Sequence, residues 1–310
     1  MTDSQGLAER PTETPAAMAR RRARAIVAII AAAAAFAVAA TLVKLIAPAI
    51  PTAQIVLFRS VVALFALAPI IQREGGIRVL RTRQPLLHAM RTFAGFGGMM
   101  TAFYGYATLP LAEVTALGFT MPLFLTILSI PLLGEKVGIR RASAVVVGFL
   151  GVLLILRPGA SDVPLGPALV VVFGAVCWAL AMIAIRRMGE QGESNVAIVA
   201  WFSIGGTVLA GALAIPVWVT PSWTEFAALV GVGLSSTVAQ LLMTDAYRRG
   251  EPTIVAPFEY SGILWTALIG IMLFDETPSP TMAAGVAVLV ASGLYILHRE
   301  VIRRRQGGGR

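Results

Sequence analysis

The stretch YATLPLAEVTALGFTMPLFLTILSIPLLGE, residues 106–135, has a counterpart in YRRGEPTIVAPFEYSGILWTALIGIMLFDE, residues 247–276. At a constant offset Tyr106 falls on Tyr247, Val114 on Val255 and Glu135 on Glu276. Each copy is an apolar helical segment that ends just before a Glu and then runs into another apolar span. Earlier parts of the two halves match as well: Phe36 falls on Trp178, Ala37 on Ala179, Ala39 on Ala181 and Lys44 on Arg186. Two related bundles of membrane helices in one chain are the usual sequence trace of a secondary transporter.

Composition sets the solvent. The chain is 57% hydrophobic and 13% charged, with a mean hydropathy of +0.80, whereas a soluble domain carries about 25% charge. So much apolar sequence must face lipid. The single cysteine, Cys177, lies inside an apolar span, which excludes an internal disulfide. His88 and His298 sit near span ends and far apart, giving no metal-ligand spacing. No metal site, cofactor or catalytic residue is expected.

Each crossing needs about 20 mostly apolar residues. The sequence reads as ten spans: 25–46, 53–72, 86–107, 110–132, 139–156, 166–186, 195–217, 225–246, 253–274 and 280–298. Breakers separate them, among them Pro51, Gly75-Gly76, Pro158-Gly159 and Pro278. The expected fold is an all-α polytopic membrane protein, ten transmembrane helices arranged as a 5+5 inverted repeat. Residues 1–24 form a basic, disordered cytoplasmic tail, 25–157 the first repeat, 164–298 the second and 299–310 a basic cytoplasmic tail.

The net charge of +9 fits topology better than nucleic acid. With the N-terminus inside, all of the 25 Lys and Arg except Lys44, Arg59 and Arg157 fall on inner regions. That bias supports a multi-pass protein of a bacterial-type cytoplasmic membrane with both termini cytoplasmic. Five spans per half is odd, so the halves insert in opposite senses. No basic stripe is interleaved with aromatics, so nucleic acid is not an expected partner. The expected partners are a small-molecule substrate and the lipid bilayer, and a homodimer is compatible with the sequence.

At this point the residues resemble a known family. Phe58-Arg59, Ala107–Ala112 with Pro110, Gly134-Glu135, Gly148-x-x-Gly151 and Arg157-Pro158-Gly159 look like the drug/metabolite transporter superfamily, ten-helix type with two EamA domains. The second half repeats the theme in Ala256-Pro257-Phe258-Glu259-Tyr260, Asp275-Glu276 and Gly293. Pro85–Arg91, Thr220-Pro221-Ser222-Trp223 and Ala256–Tyr260 are most similar to the branch with S-adenosylmethionine and riboflavin importers. The resemblance implies a secondary transporter moving a small polar metabolite by alternating access.

Buried charge is the sharpest functional signal in a bilayer, since a charge at its centre costs about 2.5–3.5 kcal/mol on insertion scales. Glu259, two residues after Pro257, is read as a substrate contact or proton carrier, against a structural Glu bonded to a neighbouring helix. Arg59 is read as a fork for a carboxylate or phosphate, against an arginine that pairs with Glu113 or Glu259 or reaches the outer interface. Glu113 either joins the site or faces water near the outer end of its span. Tyr104, Phe119, Tyr260 and Trp265 are candidate rings for a flat heterocycle or a cation, against ordinary packing. Asp245, Lys44 and Arg91 are read as gating or helix-end charges. Pro122 and Pro257 are expected to kink the fourth and ninth spans and widen a central cavity.

Rival classes fare worse. A membrane-embedded enzyme would need a metal pair, a Ser/His or Ser/Lys dyad, or paired aspartates inside the spans; there is no His-Glu-x-x-His, and Asp245 is the one Asp in a span. A sensor would need an output domain, yet no loop or tail exceeds about 25 residues. With no nucleotide-binding Gly-x-x-x-x-Gly-Lys loop, proton coupling through the carboxylates is the expected energy source. Import and export both remain open, as does a drug or metabolite exporter of the same fold.

Overall fold

The computed structural model describes residues 15–134, 137–157, 164–249 and 252–307, and it contains no strand among them. Twelve α-helices follow one another: α1 (Pro15–Ile46), α2 (Thr52–Arg73), α3 (Pro85–Thr108), α4 (Leu111–Gly118), α5 (Met121–Leu133), α6 (Ile139–Leu156), α7 (Leu165–Glu190), α8 (Asn195–Ala214), α9 (Trp223–Arg249), α10 (Pro252–Glu259), α11 (Ser261–Phe274) and α12 (Pro280–Gly307). The protein is an all-α polytopic membrane protein. Among the described residues, nine segments are long and apolar enough to cross a bilayer, with α4–α5 and α10–α11 each counting as one. The expected third span, α3, has the length but not the apolarity, because His88, Arg91 and several Gly, Thr and Tyr residues dilute it. It packs against α7 and α8 rather than standing apart.

Starts and stops follow the sequence locally. Pro85, Pro252 and Pro280 open α3, α10 and α12, where a missing N–H costs nothing. The Ser194 hydroxyl accepts from the Val196 and Ala197 amides and caps α8. Ser222 and Glu225 form a reciprocal capping box at α9: the Ser222 amide donates to Glu225 Oε2, and the Glu225 amide donates to Ser222 Oγ. Two expectations move. Helix α1 begins at Pro15, within the expected disordered tail, because Ala16–Arg24 is built of strong helix formers. Helix α12 likewise runs past 298.

Helix pairing is orderly. Helix α1 lies along α9, α3 along α7, α6 along α12 and α2 along α8. Counting α3 with the nine apolar segments gives ten in chain order; exchange the first five with the last five. The α1–α9 pair then becomes the α7–α3 pair, while α6–α12 and α2–α8 map onto themselves. Water does not drive such contacts in a bilayer, so small residues set their closeness. A Cβ on Gly151 would meet the Gly285 carbonyl at 2.8 Å, and one on Gly285 would meet the Gly151 carbonyl at 2.7 Å. The α6 and α12 backbones therefore touch. Gly98 makes room for Trp178 in the same way, and Gly233 for Val62. Large apolar side chains such as Phe65, Leu264 and Met272 are left largely exposed, as a lipid-facing surface requires.

The fourth and ninth crossings are both broken. Helix α4 stops at Gly118 and α5 restarts at Met121; α10 stops at Glu259 and α11 restarts at Ser261. Both crossings end on a left-handed residue, Gly134 (φ 67°) and Asp275 (φ 53°), which occupy matching positions. Proline alone does not place the breaks. Pro122 follows the first, where it withholds an N–H from the preceding turn, but Pro257 sits inside α10. The Ser261-Gly262 pair marks the second break instead, a common site of sharp kinks. Glu135, Pro158 and Gly159 lie outside the described residues.

Candidate functional site

The two breaks meet. Phe119 stands at the first and Tyr260 at the second, and their ring centroids are 4.6 Å apart with planes inclined at 41°. These are the same position of the two related segments. The Tyr260 ring reaches α12, where a Cβ on Gly293 would overlap its hydroxyl. Glu259, on the last residue of α10, is partly buried and interacts with the Tyr247 hydroxyl of α9. Tyr247 is the counterpart of Tyr106, so the carboxylate present in one copy and absent in the other, at Gly118, engages a repeated tyrosine. A Cβ added at Gly118 would meet nothing within 4 Å.

A second cluster ties one end of the bundle. Lys44, at the end of α1, pairs with Glu276 at 2.5 Å and donates to the Leu109 carbonyl at 2.7 Å. The second Glu276 oxygen accepts from the Leu111 amide at 2.8 Å, at the N-terminus of α4, where the helix favours negative charge. One carboxylate thus joins α1, α4 and the end of α11. Beside it lies a small cleft of about 50 Å³ lined by Pro110, Glu113, Gly270, Glu276 and Met282. Glu113 is 6% exposed and its Oε2 has no hydrogen-bond partner. It is therefore an interior carboxyl of the cleft wall rather than a group facing water.

A third cluster gathers cations. Arg91, read as a gating or helix-end charge, is 9% exposed and lies two turns inside α3. Its guanidinium lies 3.9 Å from the Phe202 ring centroid and 5.6 Å from that of Trp178. Arg59 lies 5.9 Å from the same Phe202 ring. Arg59 pairs with neither Glu113 nor Glu259. The clue available in the sequence was Gly95, one turn from Arg91 on the same face of α3.

The other candidates stand apart. Tyr104 and Trp265 are each more than a third exposed. Asp245 pairs with Arg249 of its own helix at 2.6 Å. His88, which carried no expected role, faces Glu193 at 3.3 Å with both side chains nearly buried. Thr220, Pro221 and Trp223, with Phe58, Trp218 and Phe226, line an open aromatic cleft of about 380 Å³. No cluster of metal-ligating side chains occurs among the described residues.

The sequence profile of the EamA-like transporter family matches residues 23–157 and again residues 165–298. The chain belongs to the EamA-like transporter family. Each profile match holds one broken crossing, so this EamA-like transporter brings together one aromatic residue from each. It is 27% identical over 248 residues to the S-adenosylmethionine uptake transporter of Rickettsia bellii, covering 80% of this chain and 84% of the relative. It is 29% identical to the riboflavin transporter of Vibrio cholerae (83% and 86% covered) and 31% identical to the pseudopaline exporter CntI of Pseudomonas aeruginosa UCBPP-PA14 (83% and 90%). A solved structure, described only as the crystal structure of a protein, superposes with a TM-score of 0.62 at 19% identity, covering 89% of this chain and 97% of the other. That likeness shows the fold of this EamA-like transporter.

Proposed function

We propose that this chain is a secondary transporter of the bacterial cytoplasmic membrane, with both termini cytoplasmic. Its two halves form an inverted repeat and give alternating access to a small polar metabolite along a path past the two helix breaks. The observation that carries the reading is the contact of Phe119 with Tyr260, matching residues of two broken crossings. Broken helices expose backbone groups that a substrate can use, and a bundle tolerates them only along a cavity or buried in protein. The helix pairing, unchanged when the two halves are exchanged, supports the inverted repeat.

S-adenosylmethionine and riboflavin, for which relatives are named, are substrate candidates, and an amino-acid-like metabolite is a third. Glu259, engaged by Tyr247 beside the break, is the proposed proton carrier or substrate contact, with Phe119 and Tyr260 as stacking rings. Glu113 is a second coupling candidate from the cleft wall. Lys44–Glu276 is the proposed gate at its end of the bundle. The likeness to a pseudopaline exporter supports export as a second reading, because alternating access runs either way with the gradient.

The test is counterflow into proteoliposomes preloaded with each candidate. The reading expects trans-stimulated uptake of at least one, retained in Glu259→Gln if that group only couples protons and lost if it binds substrate. A well-folded protein that moves none of them, with or without a pH gradient, would sink the substrate assignment.

A further inference from the structure

Arg59 and Arg91 take no part in the contact at the breaks, yet a charged side chain inside a membrane bundle is costly to keep. Arg91 is 9% exposed, and its Nε and Nη1 are buried without a hydrogen-bond partner. Arg59 is partly buried, from α2, and close enough to Arg91 for the two cations to repel. Among the described residues neither arginine makes an ion pair; the carboxylates of Glu190, Glu193, Asp245 and Glu276 are engaged elsewhere. What surrounds the pair is aromatic: Phe202 near both guanidiniums and Trp178 near Arg91.

Cation–π contacts return part of the desolvation of an arginine, but two unpaired cations at membrane depth cost more than rings supply. Such a pair is kept where an anion completes it. The local sequence is shaped to hold the fork in place. A Cβ on Gly95 would overlap Arg91 Nη1 and come within 2.8 Å of the Phe202 ring. Glycine at this position therefore leaves the space that the guanidinium occupies.

We propose that Arg59 and Arg91 form an oxyanion subsite that holds the carboxylate or phosphate of a small metabolite, with Phe202 and Trp178 as the platform for its carbon framework. A planar guanidinium presents paired N–H donors that match either group. As a subsite for the transported molecule, this deepens the transport reading and rests on it; anion binding itself does not.

The experiment measures melting of the purified full-length protein in detergent. Acetate or inorganic phosphate replaces chloride at constant ionic strength. Wild type is expected to gain melting temperature along a saturating curve with at least one of the two ions, because a ligand stabilises what it binds. Acetate identifies a carboxylate subsite and phosphate a phosphoester one. Arg59→Gln and Arg91→Gln should each shift the midpoint at least tenfold upward. Both should also melt no lower than wild type in chloride alone, since each removes an uncompensated buried charge. Gly95→Ala, which keeps both charges but displaces the fork, should weaken the curve likewise. A flat wild-type response, or one curve shared by all variants, overturns the subsite and leaves the transport reading standing. Failed counterflow with an intact curve does the reverse.

Discussion

Phe119 and Tyr260 touch ring to ring, 4.6 Å between centroids, although 140 residues of chain lie between them. Each stands where a membrane-crossing helix breaks, and each is the other's counterpart in a doubled sequence. The contact makes the repeat a spatial arrangement and gives it a testable core.

The Tyr260 hydroxyl depends on a missing side chain. Gly293→Ala puts a methyl where that hydroxyl lies, and overpacking of this kind costs about 1–3 kcal/mol. Tyr260→Phe removes the clashing atom. The Gly293→Ala protein should melt several degrees below wild type, and the double variant should recover most of the loss. A double variant as unstable as the sum of the singles would show that the two residues do not meet.

Glycines elsewhere divide by what stands opposite them. Gly285→Ala meets backbone on α6 that cannot rotate away, so it should lower the melting temperature markedly and disturb the α6–α12 pair. Gly118→Ala, at the last residue of α4, meets open space and should be neutral or slightly stabilising, because glycine loses more conformational freedom on folding than alanine. The melting temperatures of these two variants, side by side, check the assignment.

The Lys44–Glu276 link should hold one end of the bundle shut. Glu276→Gln removes the charge pair and weakens the bond to the Leu111 amide. The expected loss is about 2 kcal/mol, below the 3–5 of a fully buried pair because both side chains keep some solvent contact. In a Cys177→Ser background, a cysteine at Met282, which lines the adjacent cleft, should react several-fold faster with an impermeant maleimide once Glu276 is changed. Unchanged reactivity would make the link a structural tie with no part in gating.

Gln54 supports a loop instead of a site. Its side-chain amide donates to the Val219 carbonyl at 2.8 Å and accepts from the Val219 amide at 3.1 Å. Gln54→Leu strands both backbone groups, a loss of about 1–3 kcal/mol. Proteolysis between α8 and α9 should rise accordingly, while Gln54→Glu, which keeps only the acceptor, should fall between the two.

Much of this was legible in the sequence because a bilayer writes a plain code. Apolar runs of crossing length, Pro and Gly between them, and a doubled segment were enough for the fold class. What stayed hidden depends on tertiary neighbours. Lys44 is 232 positions from Glu276, so no local pattern couples them. Arg91 looked like a helix-end charge because sequence shows depth along a helix but not which face is enclosed. The break at Tyr260 is displaced from the expected Pro257 because a Ser-Gly pair can interrupt a helix as well as a missing N–H can. Glu113 seemed to sit near water because the cleft wall that buries it comes partly from α11 and α12.

The central claim is that the paired breaks lie on a path reached alternately from both sides. Ser261→Cys, a near-isosteric change at the second break, in a Cys177→Ser background tests it most directly. The protein is reconstituted in sealed vesicles of one orientation, and an impermeant thiol reagent is applied first from outside and then, in a separate sample, from within. The account predicts that Cys at 261 is modified from both sides, and that a substrate found by counterflow slows both reactions. Modification from one side only, or from neither under turnover, would contradict it.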